Sequence, residues 1–336
     1  MHVVVGICTW NRAGLLQRTL ESFRRLVVPE GTTWEIVLAD NNSTDDTPRV
    51  AAEFARVLPL ARIFVPRQGK SHALNAAIDA MRGDLTVWTD DDVEVDPRWL
   101  ASYVRAARRS PDAAFFGGPI EAAFLERPPA WIKNAWRTLS CIYGERDLGD
   151  QAFDLCPKTL PFGANWAVRT DVQKRFRYDG RLGRVGNGML AGEETEVALR
   201  MLAAGLRGRW TPEARVAHFV TPERMTLDFV TRYFFGAGRS KVARRYRCGP
   251  AITALGMWLL GLYYEAESRL RGLGEDPSPR AVRCLAKAAN AWGRLQALGR
   301  VPGISRLPNR VAALLADDDQ PRAIVAPSIP APRKIA

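Results

Sequence analysis

A run of three aspartates, Asp90, Asp91 and Asp92, directly follows the short apolar segment LTVWT. Adjacent carboxylates repel one another unless a cation neutralises them, and oxygen ligands of this kind suit Mg²⁺ or Mn²⁺ better than zinc. The run therefore predicts a divalent-cation site that could hold a diphosphate. The alternative is an acidic turn before a helix that starts near Pro97. The position of the run after a buried strand favours the metal site.

A second acidic group consists of Glu193 and Glu194 in the segment GEETE, at the start of a predicted helix over 193–204. The helix dipole alone would stabilise carboxylates there without any function. A glutamate at this position, beside an irregular region, could also be the general base that a hydroxyl nucleophile needs. The sequence leaves both interpretations open.

His218 is one of three histidines in the chain and lies in the apolar segment ARVAHFV. A histidine in such a strand is more often a hydrogen-bonded core residue than a ligand. A carboxylate-bound metal elsewhere in the chain shifts the balance toward the ligand interpretation.

Two further polar segments follow predicted strands. Asp40 ends the segment WEIVLAD, where a carboxylate can accept hydrogen bonds from a nucleobase or a ribose, or can simply begin the turn NNSTDD. Residues 67–70, RQGK, precede a helix start with Ser71 as its predicted cap. Glycine and basic side chains there could bind a phosphate. A solvated basic loop is the alternative, because neither a Walker pattern nor GxGxxG is present.

Two glycine-containing segments could bring the backbone close to a sugar. Gly118 lies in GGP after a predicted strand, and Asn165 and Trp166 lie in FGANW. Tight turns and packing would explain both segments without a ligand. The indole of Trp166 could instead present an apolar face to a sugar ring.

The elements that must position these residues alternate between strand and helix patterns in the first 120 residues. Stretches with 3.6-residue apolar spacing separate β-branched runs over 3–9, 34–40, 62–66, 85–89 and 113–117. This alternation predicts an α/β fold with a mostly parallel central sheet and helices on both faces. Ligands of such open sheets bind outside the carboxyl ends of the strands, where most of the polar residues above fall.

The rest of the chain is predicted to be less regular. We expect substrate-shaping loops over 121–190 around one short strand, Leu160–Val168, and a last strand near Ala214–Phe219. The predicted domains are a catalytic domain over 1–220 with a nucleotide half to about 120 and an acceptor half after it, a helical and basic extension over 221–315, and a disordered tail over 316–336.

The net charge of +12 is concentrated in the C-terminal third, where residues 221–336 carry 19 basic and 9 acidic side chains. Residues 232–247 hold six basic residues and no acidic one, and the uncharged run Cys248–Tyr264 follows. That run is interrupted by proline and glycine and is shorter than the roughly 20 residues that span a bilayer. The combination predicts peripheral attachment to an anionic membrane surface through residues 232–264.

The five cysteines are widely spaced and form no CxxC pair. We therefore expect a cytoplasmic protein with reduced thiols and no structural zinc. Any association with the membrane is expected to be peripheral, at the inner face of the cell membrane. The amino-terminal segment HVVVGICTW is typical of a first strand rather than a signal peptide, since no charged region precedes it.

Eight segments in order carry a resemblance to a known family. They are TWNR at 9–12, VLADNNSTDD at 37–46, RQGKSHALNAAI at 67–78, WTDDD at 88–92, GGP at 117–119, GANWAV at 163–168, GEETE at 192–196 and VAH at 216–218. Together they resemble a family 2 glycosyltransferase of GT-A fold over about residues 3–220. The resemblance implies inverting transfer of a sugar from a nucleoside diphosphate donor to a hydroxyl acceptor, with Mn²⁺ or Mg²⁺ as cofactor. In the C-terminal third it is limited to RYFFGAGRS, which is similar to extensions of bacterial members that build polysaccharide or envelope.

The resemblance also implies roles for individual residues. The nucleotide and its diphosphate would be bound by Thr9, Arg12, Asp40, Lys70, Asn75, Asp90 and Asp91. The metal would be held by Asp92, Asp90 and His218. The catalytic base would be Glu194, with Glu193 as second choice, and the acceptor or the sugar would be faced by Gly118, Asn165 and Trp166. Glu194 stands where the family usually has an aspartate, so one extra methylene changes the reach of the base. The implied partners are a nucleotide sugar and a saccharide or lipid-linked acceptor, without nucleic acid. A UDP-sugar is expected first, since Asp40 is compatible with uracil, although an aspartate at the base site does not exclude guanine or thymine.

Two other classes of function compete with this one. A sugar-phosphate nucleotidyltransferase also uses an α/β sheet and a carboxylate-bound metal, but its usual glycine-rich basic loop after the first strand is missing from CTWNRAG. A non-catalytic sugar- or nucleotide-binding module would need aromatic residues interleaved with the basic excess, and Tyr233, Phe234, Phe235 and Tyr246 supply only a weak version of that pattern. Phosphate binding alone gives no reason for the acidic run and GEETE.

Overall fold

The structure is a computed structural model that describes residues 1–244 and 251–298. Three predictions fall wholly or partly outside these residues. They concern the helical extension after residue 298, the tail over 316–336, and residues 245–250 of the predicted membrane-attachment segment 232–264.

Two β-sheets form the centre of the described part of the chain. Their strands are β1 (His2–Thr9), β2 (Thr33–Asp40), β3 (Leu60–Phe64), β4 (Leu85–Asp90), β5 (Val93–Val95), β6 (Ala113–Gly117), β7 (Ile120–Phe124), β8 (Asn165–Arg169), β9 (Arg207–Trp210) and β10 (Val216–Val220). The larger sheet has the order β3-β2-β1-β4-β8-β6-β9, and β8 runs antiparallel to both of its neighbours. The other paired strands of this sheet are parallel. The predicted, mostly parallel sheet is therefore confirmed.

The smaller sheet has the order β5-β10-β7, with β10 antiparallel to β5 and parallel to β7. The sequence did not predict it: the region over 121–190 was expected to consist of loops around a strand at Leu160–Val168. The structure instead continues β7 into this region and begins β8 only at Asn165. Strands β5, β7 and β9 hold three, five and four residues. Runs this short do not show a recognisable two-residue period.

Helices cover both faces of the larger sheet, and further helices pack beside the smaller sheet. They are α1 (Ala13–Phe23), α2 (Thr47–Phe54), α3 (Lys70–Ala80), α4 (Trp99–Arg109), α5 (Ala130–Asn134), α6 (Trp136–Leu139), α7 (Thr170–Arg175), α8 (Glu193–Ala203), α9 (Leu227–Arg244), α10 (Ala251–Leu270) and α11 (Pro279–Ala297), with 3₁₀ turns at Ser140–Tyr143 and Pro222–Arg224. Successive residues of β1 point to opposite faces. Val3 and Val5 therefore lie in the core beneath α1, α2 and α4, whereas Val4 lies in the core beneath α3, α7 and α8.

Asn165, the first residue of β8, joins the two sheets. Its Oδ1 accepts hydrogen bonds from Trp99 Nε1 and from the Tyr103 hydroxyl, both at 2.8 Å. Its Nδ2 donates to the carbonyl oxygens of Pro119 at 2.8 Å and Ala214 at 2.6 Å. Since these two carbonyls lie just before β7 and β10, the buried amide fixes where the smaller sheet meets the larger one.

The C-terminal helix α11 packs closely on both α9 and α10, and this group packs on the rest of the fold. A Cβ atom placed on Gly293 of α11 would lie 2.0 Å from the carbonyl oxygen of Phe235 on α9, so only glycine allows this approach. Val282 of α11 shares a hydrophobic cluster with Ile132 and Val220. None of the helices within the described residues is both long and apolar enough to cross a bilayer.

We expect Asn165→Ala to lower the free energy of unfolding by about 3–5 kcal/mol, because it leaves two buried donors and two buried carbonyls without their partner. Urea unfolding followed by circular dichroism measures the change. Asn134→Ala, at an exposed position on α5, is the matched control and should change stability by less than about 0.5 kcal/mol. Equal stability of the two variants would contradict the role assigned to Asn165.

Candidate active site

The carboxyl ends of three neighbouring strands bring the candidate residues together. In the parallel register Thr9 of β1 lies opposite Asp40 of β2, and Cys8 lies opposite Asp90 of β4. The helix that begins at Lys70 starts at the same edge. The edge therefore holds side chains that are separated by up to 82 positions in the sequence.

Asp90, Asp92 and His218 form a cluster whose possible ligand atoms all lie within 4.8 Å of one another. His218 Nδ1 lies 2.8 Å from the carbonyl oxygen of Tyr143, which can only accept, so Nδ1 carries a proton and the neutral ring presents the lone pair of Nε2. That nitrogen faces Asp92 Oδ1 at 3.3 Å. Asp92 Oδ1 is buried and has no hydrogen-bond partner among the described residues. Two carboxylates and one imidazole nitrogen, with two acceptors facing each other, fit a divalent cation.

Basic side chains surround the aspartates on the remaining sides. Arg12 Nη1 donates to Asp91 Oδ1 at 2.9 Å and to Asp92 Oδ2 at 3.1 Å, and Lys70 Nζ donates to Asp90 Oδ1 at 2.8 Å. Burial opposes the ionisation of Asp92, but the contact with His218 and the positive charges of Arg12 and Arg224 outweigh this effect. The pKa of Asp92 therefore lies well below its ordinary value, and the carboxylate is ionised at neutral pH.

Arg224 is a site residue that the sequence reasoning missed. It ends the 3₁₀ turn after β10, and its Nη1 lies 3.3 Å from Asp92 Oδ2 and 3.4 Å from His218 Nε2. Burial lowers the pKa of Arg224 to about 10, so the guanidinium keeps its charge at neutral pH. Its position six residues after His218 was the available signal, since a short turn returns the chain to the end of the same strand.

Glu193 and Glu194 line a pocket beside this cluster, together with Lys70, Asp90, Gly163 and Trp166. Glu193 is buried, its Oε1 lies 3.5 Å from Lys70 Nζ, and its Oε2 has no partner within the part of the chain that the structure describes. Glu194 is only half-buried. Burial, followed by the charge of Glu193, raises the pKa of Glu194 to about 7. A carboxylate with that pKa can accept a proton near neutral pH.

Two predicted nucleotide-binding residues make interactions within the protein. Asp40 is fully buried, accepts two hydrogen bonds from Arg62 at 2.9 and 2.7 Å, and accepts one from the backbone of Ser43. Asn75 donates to the carbonyl of Tyr178 and accepts from its amide, which attaches α3 to the loop before α8. The predicted cap Ser71 is inside α3 and donates to the carbonyl oxygen of Leu182 instead.

The structure does not place Gly118 and Asn165 where they could meet an acceptor. Every polar atom of the Asn165 side chain is used between the sheets. Gly118 lies against the backbone, since a Cβ there would be 2.1 Å from the Ala214 carbonyl oxygen. The expectation that these two residues contact a sugar is corrected to a packing role. Trp166 is 1% exposed but does line the pocket.

Comparison with known proteins agrees with this arrangement. Residues 4–167 match the model of glycosyl transferase family 2. The succinoglycan biosynthesis protein ExoM of Rhizobium meliloti is 27% identical over 249 residues, which cover 71% of this chain and 74% of that protein. Over the matched residues 4–167 the chain belongs to glycosyltransferase family 2, as the ordered segments predicted.

Two solved structures share the fold. The mannosyltransferase PcManGT from Pyrobaculum calidifontis, in complex with GDP-Man and Mn²⁺, gives a TM-score of 0.53 at 20% identity and covers 94% of this chain and 78% of its own. Residues 1–349 of TarS from S. aureus, in complex with UDP, give a TM-score of 0.51 at 14% identity. The match covers 89% of this chain and 92% of the TarS chain. These likenesses confirm the predicted GT-A fold.

We expect Glu194→Gln to raise the free energy of unfolding at about pH 8 by about 2 kcal/mol. Because the pKa of Glu194 rises from 4.5 to about 7 on folding, its ionisation opposes folding. That cost is absent below the unfolded pKa and complete above the folded one, so the gain should vanish at about pH 4. Urea unfolding at both pH values measures it. A gain that is equal at the two pH values would show that Glu194 ionises normally.

Proposed function

We propose that this glycosyltransferase moves a sugar, with inversion at the anomeric carbon, from a nucleoside diphosphate donor to a hydroxyl group of its acceptor. The observation that carries the proposal is that a candidate metal site and a candidate general base lie side by side. The cluster of Asp90, Asp92 and His218 lies beside a pocket that contains Glu194, a carboxylate able to take a proton near pH 7.

The donor would bind along the carboxyl edge of the larger sheet. Thr9 and Asp40 lie at neighbouring strand ends there and would form the base and ribose side of the site. Positive charge around the aspartates comes from Arg12, Lys70 and Arg224. These side chains would bind the negatively charged diphosphate of the donor. Asp91, which is held by Arg12, would orient that guanidinium.

Asp90, Asp92 and His218 would hold Mn²⁺ or Mg²⁺, since the set combines hard carboxylate oxygens with an imidazole nitrogen. When bound, such an ion supplies Lewis-acid stabilisation for the negative charge of a departing nucleoside diphosphate. The Tyr143 carbonyl keeps the His218 ring oriented with Nε2 toward this position.

Glu194 would act as the general base. Its carboxylate takes the proton of the acceptor hydroxyl, and the oxygen attacks the anomeric carbon from the side opposite the departing diphosphate. One in-line displacement of this kind inverts the configuration. Glu193 is less suited to the role, because it is buried and faces the Lys70 ammonium.

The comparisons support a place in the synthesis of polysaccharide or glycolipid, since the relative ExoM is named for succinoglycan biosynthesis. We propose a saccharide or lipid-linked acceptor and action at the cytoplasmic face of the cell membrane. For the donor we propose a UDP-sugar, because the similar TarS structure contains UDP, although the PcManGT structure contains GDP-Man.

Thermal-shift measurements with UDP-, GDP- and dTDP-sugars test the donor and the metal together. The preferred nucleotide sugar at 100 times its Kd should stabilise the protein by about 2.7 kcal/mol, in a Mn²⁺-dependent manner. Asp92→Asn should remove the Mn²⁺-dependent part of the shift. Asp112→Asn, at an exposed ion pair remote in the fold, should retain it. Equal shifts with and without Mn²⁺ in the wild-type protein would refute the metal assignment.

Steady-state kinetics test the base. Glu194→Gln should lower kcat by about 10³-fold, the range found for a general base, while Glu194→Asp should retain a measurable part of the rate. For the wild-type protein, kcat should rise with pH through about 7, because Glu194 must lose its proton before it can accept another. Glu196→Gln in the same helical turn, whose carboxylate pairs with Arg200, is the control and should keep the wild-type rate. Full activity of Glu194→Gln would move the role to Glu193.

A further inference from the structure

The outward side of α10 is an apolar surface in the described part of the chain. Its exposed large side chains are Trp258, Leu259, Leu260, Leu262, Tyr263 and Leu270, with exposed fractions between 37% and 84%. No charged residue occurs in α10 before Glu265. We call these six residues the apolar face.

The opposite side of α10 is already covered by α11. A Cβ on Gly261 would lie 3.0 Å from the Trp292 ring, and Trp292 Nε1 donates to Glu265 at 3.2 Å. The hydroxyl of Tyr264 accepts from Lys287 Nζ at 3.1 Å. Since α11 covers one side of α10, the apolar face is the side that stays exposed within residues 1–244 and 251–298.

A row of basic side chains lies on α11, beside the apolar face. Arg280, Arg283 and Lys287 are exposed, and their spacing of three and four residues places them on one side of the helix. The sequence contains no acidic residue over 277–298 or over 229–264. The acidic residues of α10, Glu265 and Glu267, pair with Arg269 and Arg271. Exposed Glu275 and Asp276 lie in the loop between α10 and α11, so the positive charge beside the apolar face comes from the basic row of α11.

We infer that the apolar face and the basic row of α11 together bind the surface of an anionic lipid bilayer. An exposed tryptophan and tyrosine among leucines, flanked by arginine and lysine, match an interface in which apolar side chains enter the acyl boundary and cations meet phosphate groups. A second copy of the chain fits less well, because a contact through the apolar face alone would give the neighbouring basic row no anionic partner. Binding to the bilayer does not depend on the proposed reaction.

The same helices contact the segment that leads into the glutamate pair. The backbone N–H of Ala191 donates to Ser240 Oγ on α9 at 2.9 Å, and Gly236 of α9 lies against the backbone of Met189. Close packing of α9 on α11 joins this contact to the lipid-binding surface. A docked protein would thus hold the pocket at a fixed position relative to the bilayer. If the proposed function is correct, this geometry favours an acceptor that is anchored in the membrane.

Vesicle flotation with the full-length protein tests the inference, without donor, metal or acceptor. The wild-type chain should float with phosphatidylcholine vesicles that contain about 30% phosphatidylglycerol, should not float with pure phosphatidylcholine, and should be released by about 1 M salt. The triple variant Arg280→Gln/Arg283→Gln/Lys287→Gln should bind about a hundredfold more weakly. The double variant Leu259→Ser/Tyr263→Ser should bind the same vesicles at least about tenfold more weakly.

Val27→Ser/Val57→Ser is the matched control, since both valines are exposed on the nucleotide half, and it should bind like the wild-type protein. Wild-type protein that stays unbound with anionic vesicles would overturn the inference. So would a dimer that Leu259→Ser/Tyr263→Ser dissociates in the absence of vesicle binding, because a second copy would then cover the apolar face. Failure of the proposed function would appear separately, as absent nucleotide binding by a chain that still floats.

Discussion

Repulsion among the three aspartates after β4 is the constraint on which the rest of the site depends. Asp91 and Asp92 are buried, so water does not screen their charges, and each needs a cationic or hydrogen-bonding neighbour. The fold supplies them from separate elements: Arg12 from the entry to α1, Lys70 from the first turn of α3, and Arg224 from the turn after β10. The smaller sheet contributes to the same arrangement, because the pairing of β10 with β5 holds His218 next to Asp92.

Much of this arrangement could be predicted from the sequence, because polar residues at the ends of parallel strands must meet at one edge. Asp40 and Asp90 are the clearest case, since the strands they end flank β1. What could not be predicted is where a side chain points inside an irregular region. GANW contains residue types that suit a sugar site, yet Asn165 turns inward, because the junction of two sheets leaves two carbonyls and two donors that only an amide can satisfy together. Arg224 was missed for a related reason: its place six residues after His218 puts it near the end of β10, but PERM does not show that the turn directs this side chain toward the aspartates.

The glutamate pair shows how neighbouring residues acquire different properties. Adjacent positions on a helix point about 100° apart, so the first turn of α8 directs Glu193 into the protein toward Lys70 and leaves Glu194 at the pocket wall. The ammonium stabilises the first carboxylate, and that carboxylate in turn disfavours the charge of the second. The sequence could identify both as candidates, but the direction of each side chain depends on Gly163 and Lys70, which are distant along the chain.

The attachment of the Met189–Ala191 segment to α9 also limits how this enzyme can diversify. Any side chain at position 236 would collide with the Met189 carbonyl, and the Ala191 amide depends on the Ser240 hydroxyl. An insertion or deletion in the segment would therefore have to be matched by a change on the helix. In relatives that use a different acceptor, the Met189–Ala191 segment and α9 should therefore change together. A chimera that exchanges only one of these two regions should fold poorly.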